Sequence, residues 1–362
     1  MACSERANSR WKDDLNLLAK YIFDNSGIQL DRSKGYLLED CMEPIMSEFG
    51  FNSCEEIYQK AISGEHFSLK TKIIDAIATT ETFFFRDQNP FQLLKNKIIP
   101  DIVDIRRQES TSRRIPLRIW SAACSTGQEV YSIGIVLADI LTDRSVWDIS
   151  ILGSDISESA IAKASYGKYT KIELDRGISQ SMLKRYFKKS GDGWRIVDEI
   201  RSMARFAKMD LTKPFENLKC FDIIFCRNVA IYFPQHLKVE LFSRIAQKLS
   251  PGGALIIGGS ESLNGVSTEF EAKHYLNALF YQLKNDPTRN SSKTKPAGAS
   301  SSPADATSAN GDLEASMPVN EMSSEAEERS LKDSLLASVQ RKSQGRSGSL
   351  LDRVKRKAEK IV

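Results

Sequence analysis

Apolar residues recur with helical spacing over residues 15–77 of the chain. Leu15, Leu18 and Ile22 follow the i, i+3/i+4 rule, and Gly27 comes where such a helix would stop. The same spacing predicts three further helices, at 36–49, 57–61 and 69–77. The sequence therefore begins with a small helical region.

From residue 90 onward, apolar runs alternate with helical periodicity. Strands are predicted at 115–122, 149–154, 194–197, 204–208, 221–226, 254–259 and 275–283. Helices are predicted between them at 128–141, 157–166, 179–187 and 235–249. This alternation indicates an α/β fold with a doubly wound, mostly parallel sheet. Such sheets bind ligands at the carboxyl ends of their strands.

The composition changes after Leu283. Residues 286–330 contain one Leu, one Val and neither Ile nor aromatic residues, so they lack the apolar surface that offsets the entropy cost of ordering. The predicted organisation is a helical N-terminal domain over 1–88, an α/β domain over 89–285, a disordered linker over 286–330 and a basic amphipathic tail over 331–362.

The tail keeps helical spacing of its apolar residues and is basic at its end. Residues 341–362 carry eight Lys or Arg against two acids, a net charge of +6. Two interpretations stay open. The tail is either a helix that docks on a protein partner or an acidic surface, or a frayed helix without a partner.

Composition excludes several classes of protein. The 362 residues are 41% hydrophobic and 27% charged, as in globular proteins, and the net charge of +4 is too balanced to require nucleic acid or an anionic membrane. The N-terminus is polar, no apolar run reaches the length of about 18 residues that a membrane helix needs, and the six cysteines form no CxxC pair. We therefore predict a cytoplasmic protein. Its three histidines lie far apart in sequence, which predicts chemistry without histidine or a metal site.

Small and polar residues follow the predicted strands at the edge where ligands bind. The turn at 122–129 contains small residues and one glycine, which allow the backbone to approach a ligand closely. It has neither GxGxxG nor GxxxxGK[ST], so an adenosine ligand without phosphates fits better than a dinucleotide or a nucleoside triphosphate. Asp155 follows the second strand, where it would accept hydrogen bonds from ribose hydroxyls or cap the next helix.

Five strings of this sequence resemble the chemotaxis receptor methyltransferases of the CheR type. They are TTETFFFRD (79–87), RIWSAACSTGQEVYSIG (118–134), SDISESAIAKASYGKY (154–169), FDIIFCRNVAIYF (221–233) and LSPGGALIIGGSES (249–262). They occur in the family's order and approximate spacing. The resemblance implies a class I methyltransferase fold, with a doubly wound mostly parallel sheet, behind an all-α N-terminal domain. It also implies a small β-subdomain inserted at about 188–208.

The resemblance further implies the reaction. Members of this family transfer a methyl group from S-adenosyl-L-methionine to glutamate side chains on the cytoplasmic helices of chemoreceptors. The products are S-adenosyl-L-homocysteine and a glutamyl methyl ester. A glutamate carboxylate has a reference pKa near 4.3, so it is ionised at neutral pH and needs no general base. Catalysis then depends mainly on positioning and desolvation of the reactants.

Two residues match the family's catalytic positions. Arg86 is expected to hold the incoming carboxylate through a bidentate pair, and a surface salt bridge is the alternative. Tyr232 matches the tyrosine that lies beside the transferred methyl group, and a buried ring with a satisfied hydroxyl is the alternative.

Cofactor contacts are implied at positions that match the family's binding residues: Thr80, Thr82, Arg86, Glu129, Asp155, Asp210, Leu211, Arg227 and Asn228. The family usually has asparagine where this chain has Thr80 and Asp210. Both replacements accept hydrogen bonds but lack the amide donor. Directly before Glu129, this chain has Gln128 where the family usually has an acid. Glu129 is therefore the candidate for the methionine end of the cofactor.

The stretch KKSGDGW (188–194) resembles family members that lack a longer, glycine-containing loop. Members with that loop use the subdomain to hold a pentapeptide at the receptor C-terminus. We therefore expect chemoreceptor helices as partners without dependence on such a pentapeptide, and neither nucleic acid nor membrane insertion. Two alternatives stay open: a methyltransferase for another protein or a small molecule, and a cofactor-binding signalling scaffold.

Overall fold

The computed structural model describes residues 15–30, 35–78, 80–109, 114–141 and 143–284. The predicted linker (286–330) and tail (331–362) lie outside these residues. Within the described ranges, no helix combines the length and the apolar character needed to cross a membrane.

Four helices form the N-terminal region and pack their apolar faces into one core. They are α1 (15–26), α2 (Gly35–Phe49), α3 (Cys54–Ser63) and α4 (Leu69–Ile77). Ser53 caps α3 by accepting a hydrogen bond from the Glu56 amide, and Gly64 ends this helix in the left-handed conformation. Helical periodicity thus predicts this region correctly.

The remaining described residues alternate strands and helices. In chain order these are α5 (Gln88–Leu93), α6 (Ile99–Glu109), β1 (Ile115–Ala122), α7 (Gln128–Ile140), β2 (Trp147–Asp155), α8 (Glu158–Tyr166), β3 (Lys168–Tyr169), α9 (Lys171–Asp175), α10 (Gln180–Tyr186), β4 (Phe187–Ser190), β5 (Gly193–Ile196), α11 (Asp198–Arg201), β6 (Ala204–Lys208), β7 (Phe221–Cys226), α12 (Gln235–Ala246), β8 (Leu249–Ile257), β9 (Phe270–Tyr275) and β10 (Ala278–Leu283). A π-helical stretch, Leu94–Ile98, joins α5 to α6.

Seven strands form the main sheet in the order β6-β2-β1-β7-β8-β10-β9. The strands from β6 to β8 are parallel, and β10 runs antiparallel to both of its neighbours. Every residue of β7 is buried, as expected for a parallel strand covered by helices on both faces. This topology is the class I methyltransferase fold that the sequence predicts.

One predicted strand lies in a different sheet from the one expected, and another forms part of a hairpin. The segment 204–208, predicted to lie in the small subdomain, pairs with β2 at the edge of the main sheet. The subdomain sheet has the order β3-β5-β4 and begins earlier, at Lys168. The predicted single strand 275–283 belongs to the hairpin of β9 and β10, because Leu276 adopts a left-handed φ of 50° where the chain reverses. Partner choice depends on long-range pairing, which local periodicity does not encode.

The carboxyl ends of the central strands lie side by side. Ala122 of β1 is in register with Ser154 of β2 and with Cys226 of β7. Cys226 is in turn in register with Ile257 of β8. The residues that follow these strands therefore converge at one edge of the sheet, which is where such folds bind ligands.

Candidate active site

A cleft of about 920 Å³, which includes space open to solvent, lies at the carboxyl ends of β1, β2, β6 and β7. Eight of the ten predicted site residues line the cleft: Thr82, Arg86, Glu129, Asp155, Leu211, Arg227, Asn228 and Tyr232. The structure therefore brings together residues that are up to 150 positions apart in the chain, from Thr82 to Tyr232.

Thr80 and Asp210 are the two predicted residues that do not line the cleft. The backbone carbonyl of Thr80 accepts a hydrogen bond from Ser125 Oγ at 3.2 Å, so Thr80 supports the cleft wall through its main chain. Asp210 Oδ1 accepts from the amide of Thr212 at 2.8 Å and from its hydroxyl at 2.7 Å. This carboxylate therefore caps its own loop.

The loop after β1 forms one wall of the cleft in a strained conformation. Ala123 and Ser125 adopt left-handed φ angles of 58° and 50°, and Gly127 follows at 92°. A Cβ atom at Gly127 would lie 2.8 Å from the Cβ of Ala164, so only glycine fits there. Left-handed conformations at non-glycine residues cost free energy, and they cluster at functional sites.

Asp155 ends β2, and its carboxylate is almost completely buried. Its Oδ2 accepts a hydrogen bond from the Ser125 amide at 2.8 Å, and its Oδ1 accepts one from the Ser157 amide at 2.9 Å. Burial raises the pKa of Asp155, and the amide hydrogen bonds oppose that rise. The carboxylate caps the turn into α8 and also lines the cleft, and each oxygen keeps a lone pair for a ligand.

Arg227 and Glu129 form a charged pair in the cleft. Arg227 Nη1 donates to Glu129 Oε2 at 2.8 Å, and Ser121 Oγ donates to the other Glu129 oxygen at 2.8 Å. Arg227 Nη2 donates to Asp87 Oδ2 at 2.7 Å and to the Arg86 carbonyl at 3.1 Å. The Arg227 side chain is only 2% exposed, and its Nε is buried without a hydrogen-bond partner in the described residues. Arg227 thus anchors the segment that carries Arg86.

The segment before α5 is fixed by aromatic packing. Phe84 is fully buried, with edge-to-face contacts to Tyr169 at 5.0 Å and Phe187 at 5.5 Å between ring centroids. The Phe85 amide donates to Ser132 Oγ of α7 at 3.0 Å. This packing holds the following residue, Arg86, at the mouth of the cleft.

Two guanidinium groups flank the same aromatic ring at this mouth. The guanidinium carbon of Arg86 lies 5.8 Å from the Phe83 ring centroid, and that of Arg176 lies 4.5 Å from it. Arg86 Nη1 donates to the Glu81 carbonyl at 3.2 Å, and Arg176 Nη2 donates to Glu81 Oε1 at 3.2 Å. We call Arg86, Arg176 and Phe83 the acceptor rim, because the resemblance implies that Arg86 holds the carboxylate that accepts the methyl group.

Sequence analysis assigned no role to Glu261, which follows β8. Its Oε2 accepts from the amides of Asn228 and Gly258, both at 2.7 Å, and its Oε1 accepts from the Ala230 amide at 3.0 Å. Burial raises the pKa of this carboxyl, and the amide hydrogen bonds oppose the rise. Glu261 therefore fixes the turn after β7, where Asn228 has a left-handed φ of 57° and Tyr232 follows. The sequence signal for Glu261 is an acidic residue a few positions after a buried strand.

The helical region also completes the cleft, which sequence analysis did not predict. Ser26 and Ile28 line it beside Tyr232. The Gln29 amide donates to the Tyr232 carbonyl at 3.0 Å. Gly27 packs so closely that a Cβ atom there would lie 2.5 Å from Thr212 Cγ2. These contacts hold the end of α1 against the turn that carries Tyr232.

The sheet order and the cleft at the strand ends define a class I methyltransferase. The family model "CheR methyltransferase, SAM binding domain" matches residues 80–277, which is more than half of the chain. This protein belongs to the CheR methyltransferase family, and its cofactor is S-adenosyl-L-methionine.

Curated relatives agree over most of their length. The chain is 36% identical over 264 residues to "Chemotaxis protein methyltransferase Cher2" of Pseudomonas putida, covering 71% of this chain and 93% of that protein. It is 33% identical over 268 residues to "Chemotaxis protein methyltransferase 1" of Vibrio cholerae serotype O1, covering 73% and 94%. It is also 33% identical over 275 residues to "Chemotaxis protein methyltransferase 1" of Pseudomonas aeruginosa, covering 75% and 98%.

The side chains of the cleft fit this cofactor chemically. Asp155 offers lone pairs to ribose hydroxyls, and Met209 and Leu211 give apolar surface for a base. The amino-acid end of the cofactor carries an ammonium group and a carboxylate. The carboxylate of Glu129 suits its ammonium group, and the positive charge of Arg227 beside it suits its carboxylate.

Proposed function

We propose that this protein transfers the methyl group of S-adenosyl-L-methionine to glutamate side chains of chemoreceptor cytoplasmic domains. The product is a glutamyl methyl ester, formed in chemotaxis adaptation in the cytoplasm. The observation that carries the proposal is a cofactor cleft whose lining contains both Arg86 and Tyr232. The chemotaxis names of the relatives support the pathway.

The charge around the acceptor rim suits an anionic acceptor. The guanidinium carbons of Arg86 and Arg176 lie 5.8 and 4.5 Å from the Phe83 ring centroid, and the segment 163–208, which contains Arg176, carries twelve Lys or Arg against five acids, a net charge of +7. A glutamate on a receptor helix is ionised at neutral pH, so this surface attracts it before any chemistry occurs.

The chain's own residues then act by positioning. When bound, S-adenosyl-L-methionine supplies a methyl group on a positively charged sulfur. Arg86 holds the acceptor carboxylate in line, and charge-assisted bidentate hydrogen bonds fix its orientation. The rings of Phe83, Phe91 and Tyr232, all in the cleft lining, exclude water from the carboxylate. No proton has to be removed, which agrees with a site built without histidine.

We also propose roles for the cofactor-binding residues. Asp155 accepts from the ribose hydroxyls, Glu129 and Arg227 face the amino-acid end, and Leu211 packs on the base. Thr82, Arg86 and Asn228 complete the cofactor contacts from the cleft lining. Thr80 and Asp210 act from behind, Thr80 through its carbonyl to Ser125 and Asp210 through the Thr212 turn.

Methyl transfer to purified receptor fragments tests the proposal directly. We expect methyl label from S-adenosyl-L-methionine to appear in the fragment. Mild base should release this label as a volatile product, because methyl esters hydrolyse in mild base and methylated amines do not. Base-stable label, or transfer only to a small molecule or another protein, would support the other methyltransferases left open by the sequence. Cofactor binding without transfer to any acceptor would support the scaffold.

Independence from a receptor pentapeptide is a finer part of the proposal. Strands β4 and β5 are joined by Gly191 and Asp192 alone, with Gly191 at a left-handed φ of 57°. A two-residue turn leaves no room for the longer loop of pentapeptide-binding relatives. Titration of a free pentapeptide is expected to give no heat, and micromolar binding at the subdomain would contradict this part alone.

We propose that the basic segment 341–362 makes a second contact with the receptor, and that its positive charge drives this contact. Its net charge of +6 makes such a contact sensitive to salt. Truncation after residue 285 is expected to slow receptor methylation more at low salt than at physiological salt. Equal rates for both proteins at both salt concentrations would favour the tail without a partner.

A further inference from the structure

We propose that Asp75 of α4 is a positioning residue for the nucleoside half of the cofactor cleft, because its carboxylate ties the start of α8 to the helical region. This inference rests on cofactor binding and not on the identity of the methyl acceptor. It assigns a function to the contact between two parts of the chain that are distant in sequence.

The contact consists of two hydrogen bonds across 83 and 84 positions of the chain. Asp75 Oδ1 accepts from the Glu158 amide at 3.0 Å, and Asp75 Oδ2 accepts from the Ser159 amide at 3.3 Å. The first amides of a helix have no acceptor within that helix, and its N-terminus carries partial positive charge. A carboxylate from another element therefore suits this place.

Ser157 supplies the N-cap of α8 without Asp75, but it accepts from only one of the first helical amides. Ser157 Oγ accepts from the Ala160 amide at 3.1 Å, and Asp155 Oδ1 accepts from the Ser157 amide at 2.9 Å. Asp75 is thus additional to the helix's own cap. What it adds is the link to α4, so its loss is expected to loosen that link without unfolding α8.

On one side, this link determines the position of Asp155. Three consecutive amides, from Ser157 to Ser159, are divided between the carboxylates of Asp155 and Asp75. If the backbone at 158–159 shifts, the Ser157 amide shifts with it, and the Asp155 carboxylate loses one of the two amides that orient it. The ribose site therefore depends on a residue that does not itself line the cleft.

On the other side, the link determines the position of the segment after α4. This helix ends at Ile77, and the next residue, Ala78, already lines the cleft. Arg227 anchors the far end of the segment through the Arg86 carbonyl and Asp87. Asp75 anchors its near end, so the segment is held at two points.

The experiment uses the full chain, with S-adenosyl-L-homocysteine as the probe and Glu48→Ala as the control. Glu48 is a carboxylate of the same helical region whose partner, Lys72 at 2.8 Å, lies in that region too. Binding is measured by calorimetric titration, and amide hydrogen exchange is followed at residues 156–160. Because neither measurement needs an acceptor, failure of glutamate methylation would leave this test intact.

For Asp75→Ala we expect the Kd to rise about 5- to 30-fold, from the loss of two hydrogen bonds to a charged group. Exchange at Glu158 and Ser159 becomes faster. Asp75→Asn keeps an acceptor for only one of the two amides, so its Kd is expected to lie between those of the wild type and Asp75→Ala. Glu48→Ala is expected to match the wild type in both measurements.

An Asp75→Ala protein that folds, binds with unchanged Kd and keeps its exchange protection at 158–159 would overturn the proposal. If Asp75→Ala does not fold, amide hydrogen exchange of the wild-type protein provides the test instead. Amides at 158 and 159 that exchange as fast as the free amides of an ordinary helix start would overturn it. Protection there, strengthened by S-adenosyl-L-homocysteine, would support it.

Discussion

The two sides of the cleft are built in different ways. On the cofactor side, which we call the cofactor wall, backbone amides hold two buried carboxylates: Asp155 in the lining and Glu261 behind the turn after β7. The acceptor rim consists of guanidinium groups stacked on a partly exposed ring, where Arg86 and Arg176 flank Phe83. The wall is therefore fixed by the main chain, and the rim by long side chains that can adjust.

This difference matches what each side is proposed to bind. A cofactor of constant structure is served by rigid, preorganised acceptors. Receptor helices vary in sequence around the acceptor glutamate, and long arginine side chains adapt to them at a cost in rotamer entropy. Substitutions in the wall should therefore change cofactor affinity and stability, and substitutions in the rim should change acceptor kinetics.

The largest effect is expected for Arg86→Ala. Turnover should fall about 100- to 1,000-fold, as when one preorganised donor is removed from an active site. Initial rates of labelled methyl transfer measure it, and Arg185→Ala, an exposed arginine paired with Asp139, is the control. Near-normal turnover would remove Arg86 from the reaction, and reduced cofactor affinity alongside lost turnover would divide its role between cofactor and acceptor.

Glu261→Ala is expected to lower the free energy of unfolding by roughly 3 kcal/mol, because it leaves at least three amides without their acceptor. Urea titration measures this change. Glu269→Ala, an exposed acid nearby in sequence, should stay within about 0.5 kcal/mol of the wild type. Equal stability of the two variants would show that Glu261 does not hold the turn after β7.

Asp155→Ala is expected to weaken binding of S-adenosyl-L-homocysteine by about 1–3 kcal/mol, and also to lower the free energy of unfolding, because the amides of Ser125 and Ser157 lose their acceptor. Because burial raises the pKa of Asp155, wild-type affinity should also begin to fall on acidification at a higher pH than for an ordinary aspartate. Asp155→Asn should flatten that dependence. Calorimetry across pH tests both statements, and an unchanged Kd for Asp155→Ala would exclude this residue from the site.

The smallest effect is expected for Arg176→Ala. Its guanidinium is partly exposed and paired with Glu81, so its loss should raise the KM for the acceptor by about threefold and leave cofactor affinity unchanged. Arg176→Lys keeps the charge but not the planar stack, and should lie between the two proteins. A change in cofactor Kd in place of KM would contradict the division between wall and rim.

Local pattern was sufficient for the central strands. The bounds of β1 (Ile115–Ala122) and β7 (Phe221–Cys226) are those predicted from sequence, because fully buried parallel strands are continuous apolar runs between turns. Motif matching also placed Arg86 and Tyr232 in the cleft before any fold was known.

Contacts between distant segments could not be predicted in this way. The edge position of β6 depends on pairing with β2, and the hydrogen bonds of Asp75 to α8 span two parts of the chain. From the sequence, Glu261 is only an acidic residue that follows a strand. Its role depends on amides in the turn after β7, which is distant in sequence. Thr80 and Asp210, which replace the family's usual asparagines, both lie outside the cleft lining.

The most direct test of the account is to identify the modified residue in a receptor fragment after incubation with this protein and S-adenosyl-L-methionine. Peptide mass spectrometry before and after mild base, with Arg86→Ala run in parallel, gives the answer. We expect the mass of one methyl group on glutamate side chains, removed by base and absent with Arg86→Ala. Methylation at a nitrogen or a backbone position, or equal modification by the variant, would contradict it.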